Sequence, residues 1–425
     1  MLLNFQSTNI SKFNYNKNFY QQLWWNINSD LNVRSKAIDL KNKRKNEETM
    51  EQLIDKIEIE LGRFPTSKEA QFIWRDNITK QVYDVLDSQS WIKLGSIDKE
   101  FKNNFLSITK GFIKKCREFD KDLSYDDIGQ AMRNVWIVSI LQKVFGRNME
   151  LSSAIFGYSM LYPYTDNYLD EPNISMEDKI GFNERFRERL CGKPILGLNE
   201  RESKVFELIK FIELDFPRNA HENVYEALIS IFEGQEKSLF QQKKISCPYE
   251  CDILGISIEK GGASVLSDGY LIDGKLTEDE ERFAYGYGFF LQLCDDLQDV
   301  DIDKQCNHMT VMSQIAGKFY LDVLVNKLIN MFYKILEDDK CFRCTNSVEI
   351  KELIESNCML MIFMAVVSNE KYFTKKYVNE ISVYLPFTIR YARKFQGKIK
   401  KKVIEIQKKF SQEKLEEIIE CFLNE

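Results

Sequence analysis

The chain has 425 residues, 44% of them hydrophobic, enough for a sizeable core, and only 7 prolines and 19 glycines interrupt it. That scarcity favours long helices, and Val-rich alternating runs bounded by turn residues, the mark of a sheet, are hard to find. A net charge of -6 argues against nucleic acid as a partner, and the 2 histidines leave His-rich metal sites and most catalytic triads poorly supplied.

The start of the chain lacks the basic and apolar regions of a secretory signal, and the longest apolar run, Met359 to Val367, is too short to span a bilayer. With 10 cysteines and no secretory context, the expected setting is a reducing cytoplasm. Residues 1–100 read as a polar N-terminal extension with short helical patches near 18–26, 47–61 and 68–87. Its aromatic stretch, Phe19 to Trp25, reads as an anchor onto the main body.

Residues 101–425 read as one all-α domain, because apolar residues recur at helical spacing almost throughout. Helices are expected near 100–118, 126–145, 151–171, 175–190, 201–214, 222–243 and 250–268. Further helices are expected near 277–301, 313–337, 347–369, 374–396 and 399–422. Breaks fall at Pro172, Gly192-Lys193-Pro194, Pro217, Pro248, Asp273-Gly274 and Pro386.

Two acidic clusters interrupt this pattern. In TDNYLDE, Asp166 and Asp170 are four apart and share a helix face. In FLQLCDDLQDVDIDK, Asp295, Asp299 and Asp303 fall at i, i+4 and i+8, and Asp296 pairs with Asp299. Such like charges repel along a helix, and each cluster follows a strongly apolar segment, where a solvated acidic face is not expected. Carboxylates of this kind suit Mg²⁺, which binds through a few of them together with substrate phosphates.

The stretch from about 150 to 320 resembles the trans-isoprenyl diphosphate synthase and class I terpene synthase superfamily. FFLQLCDDLQD is similar to its second aspartate-rich motif. Glu233-Gly234-Gln235 with Ser238-Leu239 resembles a G-Q-x-x-D-L segment, and Lys260-Gly261-Gly262-Ala263 a lysine motif that touches diphosphate. Asn307-His308-Met309-Thr310 resembles a G-K-x-T stretch.

The resemblance implies a class I terpenoid synthase-like helical bundle with a central cavity, two aspartate helices across its mouth and up to three Mg²⁺, Mn²⁺ being the alternative ion. It also implies a prenyl diphosphate substrate that ionises to an allylic cation. The ligands it implies are Asp166, Asp170, Asp295, Asp296, Asp299 and Asp303, with Lys260, Lys304 and His308 neutralising diphosphate. Arg133 is open between a diphosphate contact and a structural ion pair. Arg390-Tyr391 resembles the pair that closes over diphosphate in bacterial cyclases.

Departures from the family pattern turn the reading away from chain elongation. The first motif has one leading acid, and Arg189-Leu190-Cys191-Gly192-Lys193-Pro194 lacks one of the expected arginines. Elongation, a non-catalytic partner subunit and a helical scaffold remain as alternatives. The basic run Lys394 to Lys409 reads as a solvated face. A peripheral contact with an anionic membrane and a homodimer stay open at this stage.

Overall fold

Apolar periodicity and the dearth of helix breakers produce an all-helical protein. The computed structural model describes residues 11–171, 173–242 and 250–423, with the side chains of residues 11–13, 170 and 396 excepted. Among these residues there are seventeen α-helices and no strand. In chain order they begin with α1 (Ser11–Asn26), α2 (Leu40–Gly62), α3 (Lys68–Ser88), α4 (Lys99–Phe119) and α5 (Tyr125–Val144). Next come α6 (Ser153–Asp170), α7 (Met176–Leu190), α8 (Glu200–Asp215), α9 (Glu222–Ser238), α10 (Ile253–Asp273) and α11 (Glu278–Gln298). The rest are α12 (Val300–Gln305), α13 (Asp322–Glu337), α14 (Ser347–Ser368), α15 (Lys375–Ser382), α16 (Ile389–Lys409) and α17 (Gln412–Leu423). No helix among the described residues is long and apolar enough to cross a membrane.

The chain divides into two compact units, neither continuous in sequence. The first draws on Met1–Asn32, Asn103–Ala316 and Val323–Thr345, the second on Val33–Lys102, Gly317–Asp322 and Asn346–Glu425. The polar first hundred residues therefore fall into both units.

In the first unit, α10 is the central helix, wrapped by α5, α6, α9 and α11. It lies very close to α11 because Gly261 and Gly288 face each other: a Cβ on Gly288 would stand 2.1 Å from the Gly261 carbonyl oxygen. The N-terminal aromatics dock onto the same pair. Tyr20 stacks on Tyr285 and donates its hydroxyl to the Arg282 carbonyl at 2.7 Å, and Trp24 meets Phe289 edge-on. The end of α1 is held by α13, where Asn326 and Asn330 donate to the carbonyls of Ser29, Asn28 and Asp30.

The second unit has its own small core, in which Phe64, Trp74 and Ile78 pack with Ile418 and Cys421. The basic α16 is not solvated all along its length. Lys398 binds Glu51 of α2, and Lys402 donates to Glu58 at 2.7 Å.

Several expected helices differ from what forms, and those expected at 374–396 and 399–422 are divided among α15, α16 and α17. The patches expected at 18–26 and 47–61 are longer helices, α1 and α2, the latter started by a side-chain cap from Asp39, while the patch expected at 68–87 forms as α3, capped by Ser67. The helix expected from 313 starts at Asp322, because Thr310 and Ser313 turn the backbone by bonding each other's amides. The helix expected through 301 stops at Asp299, which ends α11 and precedes α12.

Candidate functional site

Helix direction decides where the two acidic clusters meet. On α6, Tyr158 donates to the Ser264 carbonyl of α10 at 3.1 Å, while Tyr162, one turn on, senses Lys260, one turn back. On α11, Gly288 faces Gly261, and Asp296 accepts from Ser257 at 3.3 Å. As numbering rises on α10 it falls on both neighbours. The helices α6 and α11 are therefore both antiparallel to α10, and their acidic C-terminal ends adjoin the same half of it.

Tyr162 records the convergence. Burial pushes its hydroxyl up to about 12; Asp166 and Asp295 add to the rise, while Lys260 and Arg133 oppose it. Acids from two helices and cations from two others thus act electrostatically on one side chain. The second cluster also repels itself. Burial first, then Asp295, raise the Asp299 carboxyl, with Arg133 opposing. Burial raises Asp303 to about 7, with Asp299 and Asp295 adding and Thr310 and Lys260 opposing.

Asp296 differs from its neighbours. It is buried and accepts from Gln292 at 2.9 Å as well as from Ser257. Burial lifts it to about 7, with Asp295 and Asp303 contributing and Gln292 and Lys260 opposing. By contrast, Asp295 and Asp299 are exposed. In the first cluster, Asp166 accepts from the Gln235 amide of α9 at 3.2 Å. The neighbouring Asn167 donates to Asp127 of α5 at 2.8 Å. Asp170 ends α6, and its side chain lies outside the described residues.

The remaining expected residues fall in three places. Lys304 donates to the Ala316 carbonyl at 2.7 Å. The His308 ring stands 3.5 Å from Asp303, which also accepts from Thr310 at 3.2 Å. Arg390 and Tyr391 belong to the second unit, in the first turn of α16, where Tyr391 packs between Phe387 and Phe395.

Behind Asp166 lies a narrow pocket with a cavity volume of about 60 Å³. Apolar side chains from α6, α7 and α9, among them Leu161, Phe186, Leu228 and Phe232, form its wall, with Tyr158, Tyr162 and Ser264 on the α6–α10 side. The sequence reading missed Tyr158, Tyr162 and Asn134. Its signal was available for the tyrosines, which precede Asp166 by eight and four residues and so share its face.

The donors fit Mg²⁺. They are hard carboxylate oxygens, and Asp170, Asp295 and Asp296 stand in the last turns of α6 and α11, where the helix dipole disfavours anions and a cation relieves them. Among the described residues no three His, Cys, Asp or Glu side chains are grouped so as to hold an ion. An ion shared with phosphates needs only one or two. No family model matches the chain, and neither a curated protein nor a solved structure does.

Proposed function

We propose that the first unit is a class I isoprenoid synthase, an enzyme that ionises an allylic prenyl diphosphate and then cyclises the cation or couples it to an acceptor. The observation that carries this reading is that Tyr162, on the wall of an apolar pocket, feels acids of both clusters, Asp166 and Asp295, together with Lys260 and Arg133. In this reading Asp166, Asp170, Asp295 and Asp299 hold Mg²⁺, with Asp296 and Asp303 lending charge from behind. The metal supplies charge stabilisation at the departing oxygens.

The chain's own groups do the rest. Lys260 and Arg133 neutralise the diphosphate, with Lys304 as a further cationic group and His308, its ring beside Asp303, as a further polar group. The leucines and phenylalanines of the pocket keep water from the cation, and the faces of Tyr158, Tyr162, Phe186 and Phe232 attract it. Arg390 and Tyr391 are not called on.

Cyclisation or coupling is favoured over elongation because the basic residues after the first cluster are engaged elsewhere. Arg187 donates to Glu233 at 3.2 Å, Arg189 forks onto Glu213, and Lys193 donates to Glu188 at 2.6 Å. The test is incubation with Mg²⁺ and geranyl, farnesyl or geranylgeranyl diphosphate, with released pyrophosphate measured. Release with at least one is expected; none with any of them overturns the reading.

A further inference from the structure

The pocket behind Asp166 has a few polar side chains in its apolar wall, and several of them spend their hydrogen bonds on the protein. Tyr158 donates to Ser264, Thr165 to the Leu161 carbonyl, and Gln235 to Asp166. Asn183 of α7 does not. It is 4% exposed and lines the pocket, and its carboxamide has no hydrogen-bond partner among the described residues. Two further lining groups, Asn134 of α5 and the Tyr162 hydroxyl of α6, have none among those residues either. A buried polar group left unsatisfied costs stability, and one that persists calls for a role.

The level of Asn183 in the pocket supplies one. The helices α7 and α9 are antiparallel: Phe186 meets Phe232 edge-on at 5.4 Å, and Glu184, earlier on α7, acts on Glu236, later on α9. Asn183 comes one turn before Phe186, so it stands level with Gln235, one turn after Phe232 and tied to Asp166. The amide is therefore at the acidic end of the pocket, where the reading above puts the breaking bond.

A carboxamide there is neutral, accepting through its oxygen and donating through its nitrogen. It suits a small hydroxyl compound. The cavity, at about 60 Å³, has room for one, since a water needs only about 10–15 Å³ and roughly two to four polar partners. Resting on the synthase reading above, we propose that the acceptor of the prenyl cation is one water held by Asn183, and that the product is an alcohol. The ester C–O bond breaks and its electron pair leaves with the diphosphate. A lone pair of the held water forms the new C–O bond, and the proton it sheds goes to a pyrophosphate oxygen. Asn183 takes no proton. As a positioning residue it accepts one O–H of the water and so aims a lone pair at the cation, while the apolar wall keeps bulk water out.

The test is incubation of the full-length protein with Mg²⁺ and geranyl, farnesyl or geranylgeranyl diphosphate in ¹⁸O-labelled water, with products identified by mass spectrometry. The wild type is expected to release an ¹⁸O-labelled alcohol, because attack at carbon takes the oxygen from water. Asn183→Leu, similar in volume, should lower the ratio of alcohol to hydrocarbon about tenfold, the rate equivalent of one hydrogen bond. Asn183→Ser, the milder change, keeps a shorter hydrogen-bonding group and should give an intermediate ratio. Hydrocarbons alone, or an unlabelled alcohol, from the wild type overturn the proposal. So does a ratio left unchanged by either variant, or the loss of all product in a folded one. Release of pyrophosphate from none of these substrates fails the synthase reading instead.

Discussion

The side-chain amide of Gln235 donates to both carboxylate oxygens of Asp166, at 3.2 and 3.3 Å. This ties α9 to the acidic end of α6 and fixes the direction in which Asp166 faces. A residue that orients a ligating carboxylate typically contributes about 10–100-fold to metal affinity or activity. Gln235→Leu is therefore expected to raise the Mg²⁺ concentration needed for pyrophosphate release by roughly that factor. The melting temperature should change little; an unaltered Mg²⁺ dependence would remove Gln235 from the site.

Asp295 and Asp299 are the exposed members of the second cluster. Replacing both by Ala should abolish pyrophosphate release and leave the circular dichroism spectrum unchanged. With a chelator present the double variant should melt slightly higher, since a like-charge pair one turn apart costs about 0.2–0.5 kcal/mol. Unchanged turnover would refute the ligand assignment.

Metal-free stability should fall as pH rises. Asp296 and Asp303 are both raised from 3.8 to about 7, so the folded chain holds protons that the unfolded chain has released. Their contribution is complete below about pH 4 and lost as pH passes about 7. Melting temperatures in chelator across that window check this. Mg²⁺ should flatten the fall, and Asp296→Asn should lessen it.

The approach of α10 to α11 makes Gly288 sensitive. Gly288→Ala places a Cβ 2.1 Å from the Gly261 carbonyl oxygen and 2.9 Å from the Val265 Cβ. Overpacking of this kind costs about 1–3 kcal/mol or more, and here it also shifts Lys260 relative to Asp296. Loss of both stability and turnover is expected. Gly129→Ala is the control, because nothing lies within 4 Å of its added Cβ. It should stabilise α5 by about 0.5–1 kcal/mol.

Arg189 forks onto Glu213, which Arg218 also binds. Arg189→Ala should lower stability by about 1–3 kcal/mol in denaturant unfolding and leave pyrophosphate release unaffected. With isopentenyl diphosphate added, neither this variant nor the wild type should make longer chains. Longer products from the wild type would restore elongation.

Much of the helical framework was legible because apolar spacing on α5, α7, α8 and α14 continues into the buried faces that the fold uses. In the first hundred residues α3 was legible at 68–87, but the full length of α2 was not, since it buries only Lys43 and Leu53 among mostly polar and charged residues. The acids of the second cluster were visible as a spacing. Their division, with Asp296 turned to Ser257 and Asp295 exposed, was not, because it depends on how closely α10 approaches. Asn183 was passed over for the same reason: an amide among the charged residues of α7 shows in a sequence, but its turn into a pocket does not.

The discontinuity of the two units bears on how the protein is made. Val33–Lys102 leaves the ribosome well before Asn346–Glu425, yet the two belong to the same unit. The first unit likewise waits for Val323–Thr345 before the Asn326 and Asn330 side chains can hold the end of α1. Neither unit is complete until most of the chain has been synthesised. The nascent protein therefore carries exposed apolar helix faces until the later segment of each unit has followed the earlier one, a state prone to aggregation. Slower elongation or lower temperature during expression should raise the soluble yield less than a chaperone that shields the early helices.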